Sequence, residues 1–415
     1  MVRGGKGRIS LMKTESEIER MIQWSIPKLL DYCRKNNWAG YDPYDGLNSR
    51  IFQALRFLHF KYPRLAMIQL MKRSPVNFRR PLLVPKSQNP KGIALFLISF
   101  IKLYRLGLLK DDEPIRTLSE RLVELSSPGY GHAGWGYNFD WQALTGFVPR
   151  GTPNIICTTF AGHALLDIYE YNADTYFLEM AVRAAKFIQD RFYREINSSE
   201  SFFNYMPVDY KLKQIIPIHN ASLLGAALLS RVARKTGNKV MLSYALKAAR
   251  FSAKRQHDVG SWDYGEWDVL SQRWIDNFHT GLNLHALYSI GCDAGTSEFE
   301  PHVRRGLDFY RQHFFGKDGA PKYYHDRLYP IDIHSAAQSI ITLVTLKDLD
   351  KDNLRLANAV LTWTMSNMWD ARGFFYYQKH PLWTIKIPYI RWGQAWMLLA
   401  LTVLEEGWRA GEGDF

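Results

Sequence analysis

Residues 153–192 read PNIICTTFAGHALLDIYEYNADTYFLEMAVRAAKFIQDRF. Its first half, Ile155 to Tyr169, is apolar on nearly every side, while Tyr176 to Phe192 separates charged from apolar residues at helical spacing. A helix that is apolar all round has to be enclosed by protein, whereas an amphipathic one covers a core and keeps one side in water. The stretch therefore reads as one helical hairpin with an inner and an outer member. Pro153 marks the loop that opens it.

Outward from this hairpin the same pair recurs. Pro90, Pro153, Pro217, Trp274, Pro330 and Pro388 open successive units at spacings of 56 to 64 residues, enough for one helix pair and its connections. The inner runs are Gly92 to Leu103, Ile155 to Tyr169, Ala221 to Ala233, Leu282 to Ile290, Ala336 to Leu346 and Ala395 to Leu404. Met241 to Gln256, Pro301 to Phe314 and Leu354 to Met368 join Tyr176 to Phe192 as amphipathic outer segments. Outer segments are followed by two aromatics one residue apart: Trp135 and Tyr137, Phe203 and Tyr205, Trp262 and Tyr264, Phe375 and Tyr377, with Tyr323-Tyr324 a weaker copy. Alternation of this kind beside glycine predicts short strands or turns ahead of the inner helices. The fold class that follows is all-α, an (α/α)6 toroid of helix hairpins with short β-strand or turn segments on one rim. Its six repeats fill 90–415. Residues 1–89 break the period with a helix from Ser16 to Lys35, another from Gly46 to His59 and a basic, proline-bearing stretch from Lys72 to Pro90, which close or cap the ring within one domain.

With 415 residues, 47% of them hydrophobic, the chain buries a large core without disulfides or metals. Cys33, Cys157 and Cys292 lack the paired spacing of a zinc or redox site, and no apolar stretch follows the basic start, so a reduced, cytoplasmic setting is expected. No run is long enough for a membrane span. The net charge of +13 attracts anionic partners, among them acidic oligo- or polysaccharide and, peripherally, anionic lipid. Basic residues come in scattered pairs such as Lys72-Arg73, Arg79-Arg80 and Arg304-Arg305, with no zinc-finger or RNA-binding aromatic motif, which argues against nucleic acid.

In a ring of inner helices the N-termini open on one rim, where unpaired N–H groups and the helix dipole favour anions. Polar and aromatic residues gather at those points of the sequence. The candidate substrate contacts are Asp42, Tyr44, Asp45, Trp135, Tyr137, Asp140, Trp141, His219, Asn220, Trp262, Arg273, Asn277, Tyr324, Asp332, Tyr377, Arg391 and Trp392. Capping accounts for Asp45, Asn154 and Asn220 better than ligand binding does. The aromatics either stack on sugar rings or pack into the core. His219, His279 and His334 stand at matching points of three repeats, a recurrence that chance explains poorly. Asp263, Glu266, Asp268 and Asp276 form the densest acidic cluster, beside Arg273 and His279.

Asp263, Tyr264, Glu266, Asp276, His279 and His334 are the candidate catalytic set. A carboxylate pair among them would cleave a glycosidic bond. Alternatively, Tyr or His would remove a proton next to a carboxylate while Arg or Asn stabilises the resulting charge. The positive net charge favours the second chemistry, whose substrates are anionic. His163 and His285, inside apolar helices, read as core residues. There is no phosphate-cradling glycine loop, nucleotide-binding fingerprint, nucleophile elbow or paired-histidine helix, so neither cofactor nor metal is expected.

Two segments, GYDPYDGLNS (residues 40–49) and YPIDIHSAAQ (residues 329–338), resemble microbial proteins associated with surface-polysaccharide synthesis, and the likeness spans most of the chain. It implies a glycan context. More distantly, the layout is similar to the helical catalytic domain of D-glucuronyl C5-epimerases and to six-hairpin glycosidases. IRWGQ (residues 390–394) resembles the late Arg-Trp element of the epimerases, although Gly393-Gln394 stands where Asp-Tyr would follow and no β-rich portion precedes the helical part. Terpenoid cyclases also use aromatic-lined helical toroids, but their aspartate-rich initiation motif is missing. A non-catalytic glycan-binding scaffold is a third class. The expectation is a carbohydrate-active enzyme for an acidic glycan or its precursor in polysaccharide biosynthesis or modification. Proton abstraction at a uronic acid, as in an epimerase or lyase, is the leading chemistry, and six-hairpin-type hydrolysis the alternative.

Overall fold

A computed structural model of the chain describes residues 15–210, 215–266 and 273–411. Its helices are α1 (Glu15–Lys35), α2 (Arg50–Ala54), α3 (Lys61–Arg73), α4 (Pro90–Arg105), α5 (Glu113–Glu124), α6 (Ile155–Asn172), α7 (Thr175–Phe192), α8 (His219–Thr236), α9 (Lys239–Ala253), α10 (Asn277–Ala294), α11 (Glu300–His313), α12 (Ile333–Thr345), α13 (Asp352–Met368) and α14 (Ala395–Gly411). The fold is an (α/α)6 toroid. The apolar helices α4, α6, α8, α10, α12 and α14 pack each on the next, and α14 returns to α4, so the inner ring closes. Helices α5, α7, α9, α11 and α13 each back the inner helix they follow, and α1 lies against α14. One contiguous core runs from Ile18 to Leu404.

The hairpins are tight because each is stopped and restarted by local chemistry. Ala173 ends α6 in the left-handed conformation, and Asp174 then caps α7 by accepting the Tyr176 N–H. Gly237 and Asn238 do the same between α8 and α9. At the opposite end Asn89, Asn154, Asp276 and Asp332 cap α4, α6, α10 and α12 through their side-chain oxygens.

A second device ties neighbouring repeats together. The first N–H of α6 goes to the Tyr205 carbonyl (3.1 Å), that of α8 to Tyr264 (3.3 Å), that of α10 to Tyr323 (2.9 Å) and that of α12 to Tyr377 (3.0 Å). Each acceptor belongs to the loop of the following repeat. The π-turn Ile390–Gln394 that leads into α14 continues the pattern, its first N–H reaching the Tyr41 carbonyl at 3.3 Å. In α4 the first residue is Pro90, which has no N–H to satisfy.

Short strands decorate this rim: β1 (Trp141–Gln142) pairs with β2 (Phe147–Val148), and β3 (Tyr193–Glu195) with β4 (Ser201–Phe203). Farther along, β5 (Ile331–Asp332), β6 (Trp369–Asp370), β7 (Phe374–Phe375), β8 (Gln378–Lys379) and β9 (Thr384–Ile385) form the sheets β5-β8-β9 and β6-β7. Phe203 and Phe375 are in strands; Trp135 and Trp262 lie in loops tied by the single bridges Gly136↔Pro153 and Ile218↔Gly265.

The helix expected from Gly46 to His59 is broken. Ser49, with ψ at 122°, caps α2 through its Oγ and donates the hydroxyl to the Leu82 carbonyl, so only short helical turns flank it. The rim leaves no room for side chains at Gly136, where an added Cβ would sit 2.2 Å from the Thr152 carbonyl oxygen. Gly136→Ala must push this backbone apart, and we expect a loss of about 2 kcal/mol or more, read as a lower denaturant midpoint at unchanged slope.

Candidate functional site

Side chains from five inner elements converge on the ring axis. Phe160 of α6 meets Trp396 of α14 edge-on at 5.4 Å; Trp396 lies 4.5 Å from His334 of α12; and His334 stacks on Phe278 of α10 at 4.4 Å and 16°. Lys91 of α4 places Nζ over both Phe160 (4.4 Å) and Trp396 (4.9 Å). Only the centre of a closed ring lets residues so far apart in sequence share one cluster.

Above this floor the aromatic chain continues toward solvent. Trp392 contacts Phe278, His334 and Tyr44; Tyr44 and Tyr137 both stack on Phe139; and the Tyr137 hydroxyl meets the Tyr205 hydroxyl at 2.8 Å. Tyr264 packs between Trp274 (4.6 Å) and His279 (4.5 Å), and Tyr323, next to Tyr324, packs on Phe278. Burial raises the phenol pKa of Tyr137, Tyr205, Tyr264, Tyr323 and Tyr377, so these hydroxyls stay neutral donors.

The carboxylates of the site are all engaged. Asp42 takes a two-pronged contact from Arg391, 2.6 and 2.9 Å, with both side chains buried. Asp276 accepts the His279 backbone N–H, the Trp274 indole N–H at 2.9 Å and His279 Nδ1 at 2.6 Å. Asp332 accepts from the His334 backbone, the Trp392 indole and Gln378 Nε2, and its burial pushes the carboxyl pKa up to about 6.

The unengaged groups are bases. His279 Nε2 has no hydrogen-bond partner among the described residues, and the ring is partly open to solvent. Neither nitrogen of His334 is paired; burial and the nearby Lys91, Arg391 and His279 hold that imidazole well below its ordinary pKa, and so neutral. The Lys91 backbone N–H is taken by the Asn89 cap, but the Lys91 amine forms no hydrogen bond or ion pair among the described residues, and burial, with Arg391 close by, lowers it to about 7. Unpaired polar atoms of Thr159, Asn220, Asn283, Ser335, Gln338 and Trp396 also lie buried in the inner helices. Buried polar groups normally find partners, and water or a ligand would serve these.

Of the residues singled out in the sequence, Asp42, Tyr44, Tyr137, Trp141, Tyr264, Asp276, His279, Asp332, His334, Arg391 and Trp392 belong to this connected set, Trp141 through its contact with Tyr205. Tyr324 lies beside it, and Tyr377 beneath, its hydroxyl buried and unpaired. Asn220, buried with its Oδ1 unpaired, is the second residue of α8 as His334 is of α12, and the others face elsewhere. Trp135 and Trp262 are core residues whose indoles donate to the Leu122 and Ser252 carbonyls. Asp45 is buried against Arg79. Asp140 ties together the open end of the β1–β2 hairpin by accepting the Arg150 N–H. Asp263 turns opposite to Tyr264, toward His257 and Arg273, as alternation along an extended segment requires. Glu266 pairs at 2.8 Å with His219, whose other nitrogen meets Ser252 of the outer helix α9. Asp268 lies outside the described residues.

The matching of the three histidines is looser than the sequence spacing suggests. His219 is the first residue of α8, His334 the second of α12 and His279 the third of α10. One residue turns a helix by about 100°, so equivalent loops aim the three rings differently. First-position residues look outward: Asn277 accepts the Tyr310 hydroxyl of α11 just as His219 meets α9. His219 and Asn277 therefore leave the hollow to His279 and His334.

Lys91 is the functional candidate that sequence reasoning passed over, because it sits at the head of an apolar run. Its position directly after Pro90, at the same repeat point as the other rim residues, was the available signal. Trp396 was likewise absorbed into the apolar run from Ala395 to Leu404, Tyr323 was read only as part of a weaker aromatic pair, and Phe278 fell just ahead of the run from Leu282. Two surface clefts, about 460 Å³ beside Tyr41 and Arg372 and about 570 Å³ beside Arg311 and Asp352, lie apart from this cluster.

No protein-family model matches the chain, and no curated protein matches it in sequence. Solved structures do. Cellobiose 2-epimerase from Bacillus thermoamylovorans B4167 superposes with a TM-score of 0.61 at 14% identity, covering 79% of this chain and 90% of that one. An unsaturated glucuronyl hydrolase specific for heparin gives 0.57 at 15% identity over 78% and 88%. An α-mannanase of Bacteroides thetaiotaomicron gives 0.58 at 12% identity over 79% and 88%. At such identities the likeness establishes the toroid.

Two stability measurements check this electrostatic picture. Asp42→Ala strands Arg391 without its counter-ion, and the expected cost is about 3–5 kcal/mol in chemical denaturation. Unfolded, the Lys91 amine holds its proton up to its ordinary pKa of 10.5; folded, it releases it near 7. Folding thus expels a proton between these values, so this residue makes stability rise with pH from about 7 to 10.5. Lys91→Met should flatten that rise relative to the native chain.

Proposed function

We propose that the chain is a carbohydrate-active enzyme that moves a proton at a carbon next to the carboxylate of a uronic acid, as a C5-epimerase or a lyase. The observation that carries this reading is the Asp276–His279 pair, with Nδ1 held at 2.6 Å and Nε2 unpaired among the described residues on a partly exposed ring. A carboxylate on one imidazole nitrogen orients the ring and stabilises the imidazolium that forms when the other nitrogen takes a proton. In the proposed step His279 Nε2 accepts the proton as the C5–H bond breaks, and the electron pair moves into the enolate of the substrate carboxylate. Lys91, unpaired and protonated for part of the time near neutrality, is the group suited to hold that carboxylate and its growing charge. Return of a proton to the opposite face gives the epimer. Loss of the C4 oxygen substituent instead gives an unsaturated product.

The aromatic walls support a sugar substrate, since tyrosine and tryptophan faces stack on the C–H faces of pyranose rings. The net charge of +13 and the basic floor support an acidic one, and a role in polysaccharide biosynthesis belongs to the same proposal. The named activities of the structural neighbours, epimerisation of cellobiose and hydrolysis of unsaturated glucuronyl units among them, are of this general kind. Hydrolysis by a carboxylate pair is served less well, because Asp42, Asp276 and Asp332 each already bind two or more donors.

Uronic-acid polysaccharides incubated with the protein in heavy water test the proposal by NMR. Deuterium at C5 is the expected result for an epimerase, and new unsaturation for a lyase. New reducing ends without unsaturation would replace it with hydrolysis, and silence across a broad panel would leave a binding scaffold or a cyclase. His279→Gln should lower exchange by about 10²- to 10⁴-fold while ligand affinity stays within about threefold. Affinity and turnover falling together would speak against a catalytic His279.

A further inference from the structure

The positive charge of this chain is not spread over it. Between Gly46 and Lys110 lie 13 of the 53 Lys and Arg residues and none of the 40 Asp and Glu, so the remainder carries 40 of each sign and the whole formal excess of +13 resides in this segment. Its first part, residues 46–89, forms the rim structure around α2 and α3. Arg50, Arg56, Arg73, Arg80 and Lys86 are exposed there, and among the described residues none of them pairs with a carboxylate.

The same segment exposes large apolar side chains. Phe57 is 73% and Tyr62 72% accessible, and Phe60, Leu70, Val76 and Leu83 are each more than half exposed. The solvent face of α3 is Tyr62, Ala66, Gln69, Leu70 and Arg73, at helical spacing, while Ile68 and Met71 are buried beneath. A helix apolar on both faces, one packed and one bare, has an unfilled interface. Exposed apolar residues scattered singly need no account, but six large ones within 27 residues of a segment that also carries unpaired cations and no acid do.

We propose that this surface docks the protein on an anionic lipid bilayer, with Phe57, Tyr62 and Leu70 inserting at the headgroup boundary and the surrounding arginines and lysines meeting lipid phosphates. The charge decides the occupant. Nucleic acid would satisfy the cations but strand the bare Phe, Leu and Val side chains in contact with phosphate and water. A second copy of the chain would bring two surfaces of the same sign together. A bilayer of acidic phospholipid offers both an anionic plane and an apolar layer directly under it. Attachment would be peripheral, as no helix among the described residues is long and apolar enough to cross a membrane.

Flotation of the full chain with vesicles of phosphatidylcholine, with and without phosphatidylglycerol, provides the test. Binding is expected only to the phosphatidylglycerol vesicles and should weaken as salt is raised. The double variant Phe57→Ser/Leu70→Ser should partition at least about tenfold less. Because both side chains are exposed, its thermal unfolding should match the native chain, and that scan separates loss of docking from loss of fold. Failure to bind phosphatidylglycerol vesicles overturns the proposal, and so does equal binding by the double variant. Tighter binding to RNA than to lipid, or a dimer that the double variant dissolves, would assign the surface to another partner.

Discussion

The first N–H of each inner helix is handed to the next repeat, and the toroid depends on that transfer. Four helices and the turn before α14 give this N–H to the backbone carbonyl of a tyrosine in another segment, and the sixth starts with proline and has none to give. A single such bond contributes only about 1 kcal/mol net, but a buried N–H left without an acceptor costs about 1–3 kcal/mol. The arrangement therefore closes the rim cooperatively, because each loop needs its neighbour's helix in place. It also explains why scaffold and site cannot be separated here. The carbonyls of Tyr205, Tyr264 and Tyr323 hold the rim, while their rings line the mouth.

Within that mouth the charges are arranged asymmetrically. Each acidic side chain orients a basic or indole partner: Asp42 holds Arg391, Asp276 holds His279 and Asp332 holds Trp392. The groups left to meet a ligand are an imidazole nitrogen, an amine and neutral phenols. Such a set suits the proposed transfer of protons at an anionic sugar, and among the described residues it has no pair of unencumbered carboxyls of the kind glycosidic cleavage uses. Neutral His334, wedged between Phe278 and Trp396, adds a buried hydrogen-bonding surface without adding a charge that would repel Lys91.

How far the sequence could be read follows from the scale of each signal. Periodicity of 56 to 64 residues is a property of whole helices, and the six apolar runs it marks fall in α4, α6, α8, α10, α12 and α14. The aromatic pairs fell in the rim loops for the same reason. Direction is set at the scale of one residue, and there the reading blurred: His219, His279 and His334 occupy the first, third and second positions of their helices. Trp262, Asp263 and Tyr264 likewise split between core, flank and mouth because neighbours on an extended backbone point opposite ways. Lys91 escaped because an apolar window averages away a single amine, and the helix expected over 46–59 failed because Ser49 found a tertiary partner in Leu82.

The formal charge, read from composition as one quantity, separates in space into two with different physics. Lys91 is buried near Arg391 in a medium of low dielectric, where added salt screens little and burial itself moves the amine's proton. Arg50, Arg56, Arg73, Arg80 and Lys86 stand in water, where a Debye length of about 8 Å at physiological ionic strength limits their reach. Ionic strength should therefore discriminate between them, loosening any contact made by the exposed rim while leaving the hollow nearly unaffected. The candidate cluster and the proposed docking surface, which both draw on the segment from Gly46 to Lys110 and differ in dielectric surroundings, would thus respond to salt independently.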